Sequence, residues 1–290
     1  MQYDNLPEII NNSISSLINS LLVSVDNNVF SVLDKLAFID SSVLETNSFL
    51  SFFTKSFSMV SLCKALLWGI LIYYAVSYLI SFFTCNNFQK PLSFLTKLFI
   101  SAIFIHFSST ICGYIIEFFD LLTNIIRQLG VSIFSIELSF SFIYEKISSL
   151  FMSDLTSSFS LFSFDGVLKS FISFGFINLL FTYSVRFIFI KILILISPFA
   201  FLSLSLDQSQ WIFKIWLKNF IGQLFVQLFI CVILLIIFSF QKSADPTITK
   251  LLYIAAIVCL IKSNSFVKDF TSGFTSDIST SVSSIKNIFQ

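Results

Sequence analysis

Residues 65–89 read ALLWGILIYYAVSYLISFFTCNNFQ, a stretch of 25 residues without a formal charge. At about 1.5 Å of rise per residue, a helix of this length crosses a hydrocarbon core of roughly 30 Å. Its tryptophan and tyrosines are of the type found at membrane–water interfaces. The stretch therefore predicts a membrane-spanning helix. The other segments are accordingly interpreted as parts of a membrane protein.

The composition of the whole chain agrees with a membrane environment. Hydrophobic residues make up 56% of the 290 residues and charged residues 11%, whereas an ordinary soluble domain carries about 25% charged residues. The net charge of +1 selects no class of partner. The five cysteines are scattered without a C-x-x-C pair, which argues against a disulfide framework or a zinc site. No metal or other cofactor is expected.

Four further spans follow from hydropathy. They are predicted at 98–116, between Lys97 and Glu117, then from Ser170 to about Lys191, at 220–240 and at 251–261. The last either has Lys250 and Lys262 extending from its ends to the membrane surface or continues to Val267. Residues 192–206 are apolar but short for a separate crossing, so Pro198 predicts a break or a re-entrant bend. The expected fold class is all-α: a polytopic helical membrane protein with about five transmembrane helices plus amphipathic interfacial helices.

Amphipathic segments separate these spans. An apolar stripe at helical spacing begins at Leu6 and continues weakly to Val43, so it either lies flat on the membrane or packs against neighbouring subunits. Residues 207–219 are predicted to be interfacial, with Trp211 and Trp216 as aromatic anchors and Lys214 and Lys218 on one face. The predicted organisation is an N-terminal amphipathic region at 1–58, a first transmembrane hairpin at 59–118, an amphipathic loop region at 119–169, C-terminal transmembrane helices at 170–262 and a polar tail at 263–290.

The charges of the connecting segments predict an orientation. Residues 1–64 and 117–169 each carry a net charge of −3, whereas the turn containing Lys90 and Lys97 carries +2 and residues 186–218 carry +3. Basic segments stay on the cytoplasmic side. The pattern therefore places the N-terminus and the 119–169 loop outside and the C-terminal tail in the cytoplasm.

Few residues suggest chemistry. The sequence contains no G-x-S-x-G, Walker or H-E-x-x-H motif, and the chain is not expected to be an enzyme. His106, inside the predicted second span, is interpreted as a polar contact to a neighbouring helix rather than a proton relay or ligand site. Arg186 and Lys191 either extend to inner-leaflet phosphates or face a subunit interface or an aqueous path.

The region from residue 186 onward has a recognisable pattern. Residues 186–200 read RFIFIKILILISPFA and residues 211–216 read WIFKIW, followed by the apolar span at 220–240. Residues 254–262, IAAIVCLIK, precede Gly273. This part of the chain resembles the TrbL/VirB-type polytopic membrane subunits of type IV secretion and conjugation systems. The features that carry the resemblance are Arg186, Pro198 with Ala200, Trp216 and the span after it.

The resemblance implies a non-enzymatic role in the bacterial cytoplasmic (inner) membrane. Such subunits form a ring-like homo-oligomer, with a pentamer as one expected copy number, at the base of the secretion stalk. The implied partners are stalk or pilus-type proteins, secretion ATPases, membrane scaffold proteins, lipid and a transient DNA or protein substrate. The translocation or interface residues would come from Arg186, Lys191, Pro198, Trp211, Lys214, Trp216 and Lys218.

Two other classes remain as alternatives. A small-solute transporter or stand-alone channel predicts inverted repeats and broken helices with polar groups converging at mid-membrane, and the sequence has one proline break and no obvious repeat. A membrane-embedded enzyme needs ionisable groups clustered within the spans, whereas His106 and Arg186 lie in different predicted spans.

Overall fold

The computed structural model describes residue 13 and residues 27–45, 47–55, 57–84, 91–135, 137–143, 145–146, 164–239, 248–267 and 269. Every regular element in these ranges is helical. Three short helices come first: α1 (Asn27–Ala37), α2 (Ser42–Glu45) and α3 (Asn47–Thr54). The longer helices are α4 (Met59–Thr84), α5 (Pro91–His106), α6 (Ser108–Phe134), α7 (Phe164–Leu202), α8 (Gln210–Ser239) and α9 (Ile248–Val267).

Five helical regions of the described chain are long and apolar enough to cross a membrane, which confirms the all-α, multi-pass fold class. They lie within Phe49–Ser81, Ser108–Phe134, Ser170–Ser205, Asp207–Ser239 and Ile248–Val267, and α4 is the long helix of the first. The last of these ends at Val267, which is the longer of the two forms expected for this span, so the first residues of the expected polar tail are helical. Residues 270–290 of that tail lie outside the described residues.

The second span differs from the prediction. The predicted segment 98–116 crosses a turn at Phe107 that separates α5 from α6. Backbone hydrogen bonds continue across this turn, from Phe107 N–H to the Ile103 carbonyl at 3.1 Å and from Ile111 N–H to the Phe107 carbonyl at 2.9 Å. The helix with the length of a span is α6, which includes residues 119–134 of the predicted outside loop. Periodic polar residues in α6 lower its hydropathy and led to its interpretation as amphipathic.

The predicted break at Pro198 is wrong. Helix α7 runs through Pro198 and ends at Leu202. Proline removes one backbone hydrogen-bond donor, but Pro198 lies only one turn before the end of the helix. After Leu202, Ser203–Ser205 and Asp207–Ser209 form 3₁₀ turns. The predicted interfacial stretch 207–219 is likewise continuous with the fourth span, because α8 begins at Gln210 and runs unbroken to Ser239.

The described residues form two compact units, and the first comprises those within 1–39, 121–187 and 225–270. Its core joins the apolar face of α1, through Phe30, Leu33 and Ala37, to side chains of α7, α8 and α9. The described part of the N-terminal stripe therefore packs against this chain's own spans, and neither predicted environment, a lipid surface or a neighbouring subunit, describes it. The stripe from Leu6 to Val25 lies outside the described residues.

The second unit comprises the described residues within 40–120 and 188–224. Within it, Tyr74 of α4 stacks on Phe94 of α5, with ring centroids 3.7 Å apart. Phe104 of α5 contacts Phe201 at the end of α7, at 5.6 Å between centroids. Aromatic contacts of this kind join the helices where lipid removes any hydrophobic driving force between them.

Candidate functional site at Arg186

The most unusual side chain of the first unit is Arg186 of α7. It is 1% exposed, and its Nη1 donates a hydrogen bond of 2.9 Å to the backbone carbonyl oxygen of Ala37, the last residue of α1. Carbonyl groups in the last turn of a helix have no partner within the helix and carry the negative end of its dipole. The guanidinium group therefore caps α1 from a neighbouring helix.

A second span secures the same segment. Gln227 of α8 is fully buried, and its Oε1 accepts a hydrogen bond of 3.2 Å from the backbone N–H of Ile39. The Phe38 N–H still bonds the Asp34 carbonyl at 2.8 Å, but the Ala37 carbonyl and the Ile39 N–H lie at the end of α1 and need partners from elsewhere. Arg186 provides the partner of the Ala37 carbonyl, and Gln227 provides that of the Ile39 N–H. We call this arrangement of Ala37, Ile39, Arg186 and Gln227 the α1 clasp.

A charged network lies on the other side of α1. The Asp34 carboxylate accepts a hydrogen bond of 2.9 Å from the backbone N–H of Phe140. Arg127 of α6 forms an ion pair of 3.0 Å with Glu137 and lies over the ring of Phe38 at 5.0 Å. These contacts tie residues 137–143 and α6 to α1.

Burial shifts the ionisation of Asp34 in this network. Desolvation raises the pKa of Asp34 from 3.8 to about 6. The Phe140 hydrogen bond and the charge of Arg127 act in the opposite direction, and the Glu137 charge adds to the rise. Desolvation outweighs the favourable contacts because it penalises the charged form of the carboxyl group directly.

The predicted interface residues fall into different environments. Arg186 is enclosed by its own chain, so it neither extends to lipid phosphates nor lines a free surface of the chain. Lys191, five residues along α7, lies over the ring of Phe49 at 5.6 Å and is part-buried. Pro198 lies within α7, which continues to Leu202.

Trp216 is not a membrane-interface anchor, contrary to the prediction. It is 5% exposed, and its indole N–H donates a hydrogen bond of 2.8 Å to the Leu193 carbonyl. The rings of Phe201, Phe213 and Phe220 surround it at centroid distances of 5.4, 5.8 and 5.4 Å. A buried indole usually finds a hydrogen-bond acceptor, and here the Leu193 carbonyl is that acceptor.

The remaining predicted residues are nearer the surface. Trp211 is exposed, Lys214 of the same helix is also exposed, and Lys218 is part-buried. His106 is exposed at the carboxyl end of α5, beside the ring of Phe107, and is not inside a span of the described structure. An ion pair joins Lys97 of α5, the helix of His106, to Asp207, which lies just before α8. The Lys97 Nζ atom is 2.6 and 2.8 Å from the two carboxylate oxygens.

The bonds of Arg186 and Gln227 shown above go to backbone groups of a neighbouring segment. Within the described ranges, no group of three or more His, Cys, Asp or Glu side chains is placed to hold a metal ion. The clasp holds backbone groups of one helix against side chains of two others. Comparison of the chain with protein-family models, curated proteins and solved structures gives no match.

Sequence reasoning identified Arg186 but not its partners. Gln227 lies four residues after Gln223, on one face of an otherwise apolar span, and this spacing could have indicated a polar contact inside the bundle. Asp34 is an acid next to the apolar stripe that ends α1. Ala37 and Ile39 contribute backbone atoms, so no side-chain pattern could have singled them out.

Proposed function

We propose that this chain is a non-enzymatic scaffold or channel subunit of a type IV secretion machine in the bacterial cytoplasmic membrane. In this proposal it assembles as a ring-like homo-oligomer at the base of the stalk, with the N-terminus outside and the C-terminus in the cytoplasm. Secretion ATPases would supply the energy, and the transferred substrate would be DNA or protein. Three observations support the proposal: the sequence pattern at 186–216, the five span-length helical regions of the described chain, and the bond of buried Arg186 to the end of α1.

The observation that carries the proposal is the α1 clasp. A charged residue within a span is costly and is retained where it serves a function or finds a partner. Here Arg186 and Gln227 fasten a non-spanning helix to two spans. A rigid link between membrane helices and an adjoining amphipathic region is what a subunit needs if it is to seat a stalk on a membrane base.

The first experiment is purification of the protein from its host in mild detergent, followed by native mass spectrometry and electron microscopy. We expect a ring of several copies together with secretion ATPases and stalk proteins. A lone monomer or dimer without these partners would contradict the proposal and would favour a small-solute transporter.

A transfer assay tests the role of the clasp within that machine. Arg186→Gln is expected to reduce DNA or protein transfer at least about tenfold, because loss of a hydrogen bond to a charged group costs about 1.5–3 kcal/mol. Lys262→Gln is the matched control, since it removes an exposed positive charge from α9. Unchanged transfer by Arg186→Gln at normal membrane abundance would argue against the clasp as the functional site.

A further inference from the structure

Arg186 lies within the membrane-crossing part of α7. Arg186 is the seventeenth residue of the 36-residue apolar region Ser170–Ser205. A helix crosses the hydrocarbon core with about 20 residues. Every stretch of about 20 residues that can be drawn within Ser170–Ser205 therefore includes Arg186. The Ala37 carbonyl, bonded to Arg186 at 2.9 Å, lies at the same depth.

Non-helical backbone at this depth needs partners that lipid cannot supply. Irregular segments are found in the hydrocarbon region only where they are buried in protein or line a water-filled cavity. The backbone at Ala37 and Ile39 meets the first condition, because both residues are almost completely buried and the Ala37 carbonyl and the Ile39 N–H bond Arg186 and Gln227. Phe38 between them is part-buried.

The opposite edge of α1 is exposed and carries two polar side chains beside Val32, which is 47% exposed. Lys35 is exposed two residues before Ala37, and Ser31 is exposed one turn earlier. In the same unit, Glu137 has a side chain that is 75% exposed although it pairs with Arg127. Charged groups in contact with lipid tails are strongly unfavourable, so this edge requires water.

Gln227 provides an independent indication of water. Its Oε1 is used by Ile39, but its fully buried Nε2 finds no acceptor among the residues that the structure describes. Buried polar groups without a protein partner are commonly satisfied by ordered water. A donor of this kind beside the clasp is consistent with hydration that reaches into the bundle.

We propose that the carboxyl end of α1, with Phe38 and Ile39, is a re-entrant element held at membrane depth by Arg186 and Gln227, with its polar edge facing a water-filled recess. The N-terminal region would thus line a hydrated path part of the way into the membrane, instead of lying on its surface. The inference depends on α7 crossing the membrane and is independent of the secretion role.

Single cysteines tested with two thiol reagents distinguish the possible environments. Lys35→Cys and Ala37→Cys are introduced after Cys85 and Cys259 are replaced by serine; a second background also replaces Cys63, Cys112 and Cys231, which are buried. Sealed vesicles of both orientations are treated with a small membrane-impermeant maleimide or with a maleimide on a bulky polyethylene glycol chain. Reaction of each variant with both reagents after denaturation is the control.

A recess predicts that Lys35→Cys reacts with the small reagent and not with the bulky one, while Ala37→Cys reacts with neither. Reaction of Lys35→Cys with both reagents would mean that α1 protrudes from the membrane, and reaction with neither would mean that lipid or protein covers it. Either result overturns the proposal.

The role of the clasp is tested by adding Arg186→Gln to Ala37→Cys. We expect labelling by the small reagent to accelerate about ten- to hundredfold, as loss of a charge-assisted hydrogen bond shifts the opening equilibrium. The same labelling rate as in the parent would contradict the clasp. Labelling is measured without substrate transfer. The recess can therefore be disproved while the secretion role stands, and the secretion role can be disproved while the recess stands.

Discussion

The Arg186 guanidinium group and the Ala37 carbonyl oxygen are joined by a hydrogen bond of 2.9 Å across 149 residues of sequence. The two residues lie in a span-length helix and in a short amphipathic helix, and both are almost completely buried. This contact, with the Gln227–Ile39 bond beside it, connects the N-terminal region to the membrane bundle.

Removal of the Arg186 head group should destabilise the first unit. Arg186→Gln is too short to reach the Ala37 carbonyl, so a buried acceptor loses its partner at a cost of about 1–3 kcal/mol. The measurement is the temperature at which the detergent-solubilised protein loses its monodisperse state. Lys262→Gln should leave this temperature unchanged, and an equal loss in the two variants would contradict the assignment.

Gln227 should be energetically coupled to Arg186. Gln227→Leu leaves the Ile39 N–H without its acceptor, again at about 1–3 kcal/mol. Since both side chains hold the same short segment, the double variant should lose less stability than the two single variants added together. Strict additivity in this double-mutant cycle would show that the two bonds act independently.

The contact between α7 and α9 depends on a glycine. A Cβ atom added at Gly175 would lie 2.6 Å from the Cγ2 atom of Ile257. Gly175→Ala should therefore lower stability by about 1–3 kcal/mol through overpacking, measured by thermal unfolding in detergent. Adding Ile257→Ala, which removes that methyl group, should restore part of the loss.

Gly69 is the matched control for this substitution. It also lies in a helix, but an added Cβ atom meets nothing within 4 Å. Gly69→Ala should be neutral or slightly stabilising because alanine has the higher helix propensity. Equal destabilisation at the two glycines would show that the close approach to Ile257 is unimportant.

Asp34 should make stability depend on pH. Its pKa is raised from 3.8 to about 6 in the folded protein, so the folded state binds the proton more tightly than the unfolded state. The resulting stabilisation is complete below pH 3.8 and is lost as the pH rises through about 6. Thermal unfolding from pH 4.5 to 7.5 should show this loss, and Asp34→Asn should remove that part of the pH dependence while Asp269→Asn retains it.

The two tryptophans of the predicted interfacial stretch should respond differently to substitution. Trp216→Ala removes a buried aromatic ring and its hydrogen bond to Leu193, and should cost about 3–5 kcal/mol. Trp211→Ala changes an exposed side chain and should have little effect on unfolding. Equal effects of the two substitutions on unfolding would instead support the predicted role of Trp216 as an interfacial anchor.

The sequence predicted the helical class and the number of span-length helices, because long apolar stretches have few alternatives in lipid. It was less successful at boundaries. Pro198 suggested a break in the helix, but α7 continues for one more turn. The regularly spaced polar residues of α6 suggested a surface helix, but α6 has the length of a span. Among the site residues, Arg186 was recognisable from its cost in a span, but its buried position was not.

By itself, the sequence determined that this protein is a multi-pass helical membrane protein, since hydropathy and charge are properties of consecutive residues. Only the tertiary structure decided that α1 packs against α7, α8 and α9, that Trp216 is internal and that Arg186 caps α1. These outcomes depend on contacts between residues that are far apart in the chain. In the clasp, the partners are backbone groups, which every residue carries, so only their position in space makes them acceptors and donors for Arg186 and Gln227.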